Sequence, residues 1–156
     1  MTEELHPTLR EATLEDIPVI LSMAEQFGKD SPYDSIGINY AKTRQMMEKF
    51  VVEGQVEYLA LISHDEGNPV GAIFAYAFTP IFSDHKVAVE VFLYLKPEYR
   101  KSQRGQDLRK AFEYWAKLVG CKHVQGAVLS NSPDGMDKFW THGGYKMTET
   151  VYMKEL

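Results

Sequence analysis

Cysteine is almost absent from this sequence of 156 residues, in which Cys121 is the only one. An intramolecular disulfide and a zinc site built from several cysteines are therefore excluded, and a reducing compartment is the simplest expectation. Long hydrophobic runs are lacking too, since no apolar stretch reaches the roughly 18 residues of a membrane-spanning helix, and the first residues are acidic rather than basic. We expect a cytoplasmic protein with no signal peptide and no membrane partner.

Positive charge is scarce as well. The chain has 17 Lys and Arg against 22 Asp and Glu, which gives a formal net charge of −5. Nucleic-acid binding depends on basic side chains that neutralise phosphates, so no nucleic-acid partner is expected. The histidines are not spaced like metal ligands, so no metal is expected either. An apolar fraction of 44% is typical of a globular protein, and the length predicts a single domain over residues 1–156.

The spacing of apolar residues changes along the chain, from the three- and four-residue spacing of helices to the alternation of strands. These changes predict a mixed α/β fold with helices on both faces of the sheet. Helices are expected from about residue 15 to 27, over 39–52 and 104–119, and within 133–142. Strands are expected over 9–12, 58–62, 70–78, 86–95, 124–129 and 145–153. The order strand, long helix, strand between residues 86 and 129 predicts a parallel pair, whereas 58–62 and 70–78 form an antiparallel hairpin.

The strand over 86–95 alternates strictly between two sets of side chains. Successive residues of a strand point to opposite faces of the sheet. The pattern predicts one face with Val87, Val89, Val91, Leu93 and Leu95. The opposite face would carry Ala88, Glu90, Phe92 and Tyr94.

The segment 95–108 carries the clearest chemical signal, because it lies between the end of a strand and the start of a helix. Free backbone N–H groups and the positive end of a helix dipole meet there, and Arg100, Lys101 and Arg104 add positive charge to an acidic chain. That combination suits a pyrophosphate. The alternative is that Gly105 eases a tight turn while the basic side chains form a solvated surface.

Three motifs, taken with the order of elements, resemble the GNAT superfamily of N-acetyltransferases. They are Leu-x-Leu-x-Pro-Glu-Tyr-Arg at 93–100, Arg-x-x-x-x-Gly at 100–105 and the closing Phe-Trp-Thr-His-Gly-Gly-Tyr at 139–145. The resemblance extends over nearly the whole chain and is greatest to acetyltransferases carried by tailed bacteriophages. It implies a GNAT acyl-CoA N-acyltransferase fold, with a mostly antiparallel sheet and a splayed central parallel pair.

The resemblance also implies where acetyl-CoA, the co-substrate, would bind. The pantetheine arm would lie in the gap between the splayed strands, and backbone N–H groups of 101–106 would hold the pyrophosphate. The matching positions are Leu93, Tyr94, Leu95, Arg100, Lys101, Ser102, Gln103, Arg104, Gly105, Gln106 and Asn131.

Two positions depart from the family pattern. Gln103 replaces the first glycine of the phosphate loop, which removes backbone freedom. Trp140 stands where many members have a tyrosine thought to protonate the departing thiolate, and an indole cannot do so. Because a thiolate is a tolerable leaving group near neutral pH, this loss need not abolish catalysis.

Deprotonation of the amine is the harder requirement, since an ordinary lysine amine has a pKa of about 10.4. Glu90 is the candidate general base, acting directly or through a water, and its alternative role is that of a structural carboxylate. Tyr33, in the loop that borders the acceptor site in this family, is a second candidate for substrate contact or proton supply, against an ordinary loop aromatic. Cys121 is expected to be a buried structural thiol rather than a nucleophile.

The predicted function is transfer of an acetyl group from acetyl-CoA to a primary amine of a small molecule or a protein, by direct attack. The alternative is a GNAT-fold binding module with weak or no catalysis, such as a phage accessory or host-interaction factor, and Gln103 and Trp140 motivate it. A phage origin would place the protein in the host cytoplasm. The family resemblance also allows a homodimer.

Overall fold

The computed structural model describes residues 5–52 and 56–156. Its strands are β1 (Leu9–Glu11), β2 (Tyr58–Asp65), β3 (Asn68–Phe78), β4 (Lys86–Leu95) and β5 (Cys121–Gln125). Its α-helices are α1 (Ile17–Lys29), α2 (Tyr40–Val51), α3 (Gln103–Leu118) and α4 (Met136–Thr141). Single 3-10 turns lie at Leu14–Asp16, Pro32–Ile36 and Pro97–Tyr99.

The five strands form one sheet in the order β1-β2-β3-β4-β5. Neighbours pair antiparallel except β4 and β5, which are parallel. The predicted mixed α/β fold with a parallel pair is confirmed. The pair stands at one edge of this sheet rather than at its centre, because no strand follows β5 among the described residues.

Two hydrophobic cores lie on opposite faces of the sheet, which confirms the prediction of helices on both sides. The first packs α1 and α2 against the sheet, and its centre includes Ile20, Met47 and Phe74. The second packs α3 against the other face, with Leu108 and Phe112 fully buried there. The sheet is therefore the middle layer of three.

The alternation predicted for β4 is wrong, because the strand contains a β-bulge. Phe92 pairs with Phe74, but Glu90 pairs with Ala75, so Val91 is an extra residue without a partner on β3. Phe74 and Phe92 belong to the core of α1 and α2, whereas Ala75 belongs to the core of α3. A bulge inserts one residue and shifts the facing of the strand. Glu90 consequently lies on the α3 side of the sheet.

Helix α1 begins at Ile17, close to the expected start near residue 15, and the turn before it is held by Asp16. The Asp16 carboxylate accepts the backbone N–H of Thr13 at 2.8 Å and both terminal nitrogens of Arg10 at 2.7 Å. The Arg10 hydrogen bonds hold the pKa of Asp16 below its usual value against the opposing effect of burial. This pair fixes the start of the helix to strand β1.

Two predictions for the C-terminal part of the chain are wrong. The fifth strand ends at Gln125 rather than at residue 129, and no strand is present between residues 145 and 153. Every residue from 146 to 156 is exposed. A strand needs a paired neighbour as well as an alternating sequence, and this segment has none among residues 5–52 and 56–156.

None of the helices within the described ranges, 5–52 and 56–156, has the length and apolar character needed to cross a bilayer.

Candidate active site

The site begins where β4 and β5 separate. Their pairing ends at Val89 and Gln125, yet β4 continues for six more residues to Leu95. From residue 126 onward the chain has no strand structure before it reaches α4. A wedge-shaped gap therefore opens beside the second half of β4, as the predicted splay requires.

A groove of about 1190 Å³ occupies this gap. It is bounded by the end of α1, the second half of β4, the start of α3 and the segment that leads through α4. Nine of the eleven residues predicted to bind acetyl-CoA line it: Leu93, Tyr94, Leu95, Arg100, Lys101, Ser102, Gly105, Gln106 and Asn131. The predicted binding positions, scattered in sequence, are thus brought together on one surface.

The end of the groove at α3 is suited to an anion. The first N–H groups of an α-helix have no intrahelical acceptors and carry the positive end of its dipole. Ser102 caps the helix by accepting the Arg104 N–H, and Lys101 before it adopts a left-handed φ of 58°. Arg100, which donates from Nε to the Leu95 carbonyl at 2.9 Å, adds positive charge to the lining.

The Arg104 side chain does not line the groove. Its guanidinium donates to the His64 carbonyl at 2.6 Å and to Asp65 Oδ1 at 2.9 Å, so it is directed to the end of β2. It also stacks 5.3 Å from the ring of Tyr99. In this structure the Arg104 guanidinium is directed away from the groove, and its contact with the phosphates stays a prediction. Gln103 also lies outside the lining, and a role for the backbone N–H groups of both residues stays a prediction.

Glu90 lies at the apex of the gap, one residue beyond the last pair of β4 and β5. Its Oε2 accepts the backbone N–H of Ala127 at 3.2 Å, which bridges the two diverging segments. Burial raises the pKa of this carboxyl to about 7, and the Ala127 hydrogen bond opposes that shift. Glu90 is not among the residues that line the groove.

Tyr33 lies on the 3-10 turn after α1 and is 46% exposed. Its backbone N–H donates to Ser31 Oγ at 3.2 Å. Ser31, Asp30 and Phe27 line the groove, but Tyr33 does not. Tyr33 therefore lies two residues beyond the lining residue Ser31, and its role in substrate contact or proton supply stays a prediction.

Trp140 is a buried structural residue. Its Nε1 donates to the Ala127 carbonyl at 3.1 Å, and its ring lies 4.8 Å from that of Tyr145. Gly126 packs directly under the indole, since a Cβ at residue 126 would lie 2.3 Å from Trp140 Cη2. Ala127 is thereby held from one side by Trp140 and from the other by Glu90.

A buried arginine on α3 was not anticipated from the sequence. Arg109 is 7% exposed, donates from Nη2 to Gln106 Oε1 at 2.6 Å and stacks 5.6 Å from the ring of Phe139. Its Nε lies 3.8 Å from Glu113 Oε1. Because Gln106 and Phe139 both line the groove, this side chain supports the wall from behind. An arginine that falls between apolar positions of a helix gives no sequence signal of burial.

The sequence also did not identify the groove residues from α4 and its surroundings, namely Leu129, Ser132, Lys138, Phe139 and His142. Their position follows from the course of residues 126–142, which have no repeating pattern. No group of three or more side chains suited to a metal ion occurs in the described part of the chain, and the absence of a metal stays a prediction.

A profile of the acetyltransferase (GNAT) family matches residues 23–143. This span includes β4, the phosphate-loop segment, α3 and α4, which together build the groove. The chain belongs to the acetyltransferase (GNAT) family. The family uses acetyl-CoA as co-substrate, and the predicted class of enzyme, an acyltransferase, is confirmed.

Individual proteins agree with this assignment. An amino-acid acetyltransferase of Pasteurella multocida is 25% identical over 169 aligned positions, gaps included, and the alignment covers all of this chain but 35% of the relative. Among solved structures, an aminoglycoside acetyltransferase from an uncultured soil sample, in complex with sisomicin, superposes with a TM-score of 0.69 at 12% identity over 95% of both chains. A ribosomal-protein-alanine N-acetyltransferase of Brucella melitensis gives a TM-score of 0.70 at 11% identity, covering 95% of this chain and 99% of that one.

The chain spans about a third of the length of the Pasteurella relative. The two solved structures show similarity of fold alone.

Proposed function

We propose that this protein transfers the acetyl group of acetyl-CoA to a primary amine. The observation that carries the proposal is the groove between the diverging segments after Val89 and Gln125, which ends at the start of α3. A groove lined by strand backbone at one end and by helix N–H groups at the other suits an extended thiol arm joined to a diphosphate. The family match and the relatives support the enzymatic prediction, and none of them supports the binding-module alternative.

In the proposed reaction the neutral amine attacks the acetyl carbonyl carbon, a C–N bond forms and the C–S bond breaks. The amine gives up one proton, and the coenzyme leaves as a thiolate that takes up a proton. Glu90 is the proposed acceptor of the amine proton. Because Glu90 is not among the residues that line the groove, transfer through a water is the proposed route.

The first test is binding of the coenzyme. Acetyl-CoA at about 100 times its dissociation constant should add about 2.7 kcal/mol to the free energy of unfolding, because it binds the folded state only. The measurement is a thermal melt with acetyl-CoA, and desulfo-coenzyme A and adenosine serve as partial ligands. An unchanged melting temperature over the millimolar range would contradict the proposal.

Two arginines of the phosphate-loop segment provide a matched pair of variants. Arg100→Ala should weaken acetyl-CoA binding about tenfold, the effect of losing one charge-assisted contact. Arg104→Ala should leave binding within about twofold but lower thermal stability, because its guanidinium is bonded to the end of β2. Calorimetric titration and thermal melts of both variants separate these effects. The reverse ranking of the two affinities would show that Arg104 reaches the phosphates.

We propose that the acceptor amine enters from the α1 end of the groove. Asp30 lines the groove with Ser31 and Phe27 at the end of α1. Asp30 is a carboxylate that can attract an ammonium group before the proton is lost. The backbone of 30–31 also continues into the turn that carries Tyr33, which makes this turn the proposed acceptor-side border.

The names of the similar proteins suggest which acceptors to test. A panel should hold the free amino acids, sisomicin and a peptide with an N-terminal alanine, with release of free thiol as the measurement. A free amino acid is the expected acceptor, since the relative named for that activity is similar over the whole of this chain. Acetylation of the peptide alone would replace the small-molecule proposal with a protein acceptor.

Four predictions continue to rest on the sequence: the similarity to bacteriophage acetyltransferases, the cytoplasmic location, the single domain over residues 1–156 and the homodimer. Fractionation of the native host would test the second, and limited proteolysis would test the third.

A further inference from the structure

The buried side chain of Arg109 is enclosed between α3, α4 and the segment that follows α4. Its guanidinium lies 5.6 Å from the centre of the Phe139 ring. Gly143 leaves room for it, because a Cβ at residue 143 would overlap both Nη1 and Cζ of Arg109. The lack of a side chain at residue 143 is therefore what allows the guanidinium to occupy this position.

The position of the guanidinium leaves it without a carboxylate at close range. Its Nε lies 3.8 Å from Glu113 Oε1, which is beyond hydrogen-bond distance. Within residues 5–52 and 56–156, neither Nε nor Nη1 has a hydrogen-bond partner. Nη2, by contrast, donates to Gln106 Oε1 at 2.6 Å. A buried charge ordinarily needs close pairing, so this geometry favours the neutral amide of Gln106 at the expense of the ion pair.

This hydrogen bond determines the orientation of the Gln106 amide. A guanidinium has donors and no acceptor, so the amide atom that meets Nη2 must be the oxygen. The two N–H groups on Nε2 remain for another partner. Gln106 lies near the start of α3 and lines the groove together with Gly105. A ligand in the groove that contacts this amide therefore meets hydrogen-bond donors.

We propose that Arg109 is a positioning residue for the coenzyme: it holds the Nε2 hydrogens of Gln106 toward the groove, where they donate to a diphosphate oxygen of acetyl-CoA. The inference rests on the proposed acetyl-CoA site. A diphosphate oxygen is the acceptor because Gln106 stands at the end of the groove that is suited to an anion. Holding a flexible side chain in its bound conformation raises affinity, since less rotational freedom is lost on binding.

The first experiment compares coenzyme A binding, measured by calorimetric titration, in Arg109→Met, Gln106→Leu and the double variant. Each single change should weaken binding about tenfold, the effect of one charge-assisted hydrogen bond. The double variant should bind like Gln106→Leu, because both changes remove the same interaction. Lys110→Met removes one positive charge from the exposed neighbour of Arg109, and this control should bind within about twofold of wild type. Additive losses, about a hundredfold in the double variant, would overturn the proposal.

Gly143→Ala displaces the Arg109 side chain without altering its chemistry. The added Cβ overlaps the far end of a flexible side chain, so the guanidinium should move away from Gln106. Coenzyme A binding should weaken as much as in Arg109→Met, and adding Gly143→Ala to Arg109→Met should have no further effect. An unchanged dissociation constant in Gly143→Ala, or equal losses in both backgrounds, would show that Arg109 does not hold Gln106 for the coenzyme.

Gln106→Glu separates a role in binding from a role in stability. The new carboxylate would pair with the Arg109 guanidinium, so the melting temperature without coenzyme should rise. The same change replaces the N–H donors with a negative charge, so the coenzyme A dissociation constant should increase more than tenfold. A contact that serves stability alone would move the melting temperature and leave the dissociation constant unchanged. That result, or a parallel loss of stability and binding, would overturn the proposal.

The wild-type titration tests the proposed function by itself. Wild-type protein that does not bind coenzyme A would overturn both the acetyl-CoA site and the role of Arg109. Wild-type binding together with unchanged dissociation constants in Arg109→Met and Gln106→Glu would overturn the role of Arg109 alone and leave the acetyltransferase proposal intact.

Discussion

Replacing Glu90 by Gln is expected to lower turnover by about 10- to 1000-fold, with acetyl-CoA binding unchanged. The amide keeps the volume of the side chain and can still accept the Ala127 N–H, but it cannot take up a proton. Steady-state kinetics should show the loss in kcat, and calorimetry should give the same dissociation constant for the coenzyme. Glu48→Gln, on the exposed side of α2, is the control and should be fully active.

The pH dependence of activity provides a second test of Glu90 as the general base. Burial raises the pKa of Glu90 to about 7, and a base acts only in its ionised form. Wild-type activity should therefore rise with pH through about 7, and this rise should disappear in Glu90→Gln, which keeps only the steady increase from deprotonation of the amine. Identical profiles and identical turnover for both proteins would remove Glu90 from the mechanism and leave it a structural carboxylate.

The Glu90→Gln substitution should raise thermal stability above neutral pH, although it lowers activity. The pKa of Glu90 in the folded state is higher than its ordinary value of 4.5. Its ionisation therefore disfavours the folded state, an effect absent below about pH 4.5 and complete above about pH 7. Glu90→Gln should melt at a higher temperature than wild type at about pH 8 and at a similar temperature at about pH 4. This comparison also shows whether the variant is folded.

The second large effect concerns packing behind the groove. Gly126→Ala is expected to lower the free energy of unfolding by about 1–3 kcal/mol, the usual cost of overpacking a rigid contact. The added Cβ would lie 2.3 Å from Cη2 and Cζ2 of Trp140, and the indole cannot bend away from it. Turnover should fall too, because Ala127, the next residue, holds the Glu90 carboxylate. Urea denaturation and steady-state kinetics are the measurements.

A double-mutant cycle with Trp140→Leu supplies the control. Trp140→Leu removes the ring atoms that Gly126 contacts, so Gly126→Ala should cost less in that background than in wild type. The two single changes should therefore be non-additive. Strict additivity would show that the close packing of Gly126 under the indole does not limit stability.

How far the sequence determined the fold can be judged from β4 and α3. Their approximate lengths and the parallel pairing with β5 follow from hydrophobic periods and turn residues, which act locally, whereas the gap beside the second half of β4 was expected from the family resemblance. The facing of Glu90 did not follow, because one extra residue at Val91 interrupts the alternation and leaves no mark in composition. On one side of such an insertion, the two-residue alternation assigns every side chain to the wrong face of the sheet.

Nine of the predicted coenzyme-binding positions line the groove, whereas the directions of individual side chains did not follow from the sequence. Arg100 and Arg104 look equivalent in sequence, yet only Arg100 lines the groove, since Arg104 finds Asp65 on a strand far away in the chain. Trp140, predicted at the position of a catalytic tyrosine, is instead a buried residue bonded to Ala127. The direction of each of these side chains depends on which partner, distant in sequence, lies within hydrogen-bond reach. No local sequence pattern encodes that partner.

The bulge at Val91 divides β4 into two parts, residues 86–90 and 92–95, whose alternation is out of step by one residue. Deleting Val91 would place Glu90 directly before Phe92. Because successive residues of a regular strand face opposite sides of the sheet, Glu90 would stay on the α3 side and Phe92 on the side of α1 and α2. The deletion would remove the local bend and the extra twist that a bulge gives to its strand. We therefore expect it to keep both hydrophobic layers while changing the angle between the paired half of β4 and the half that borders the groove.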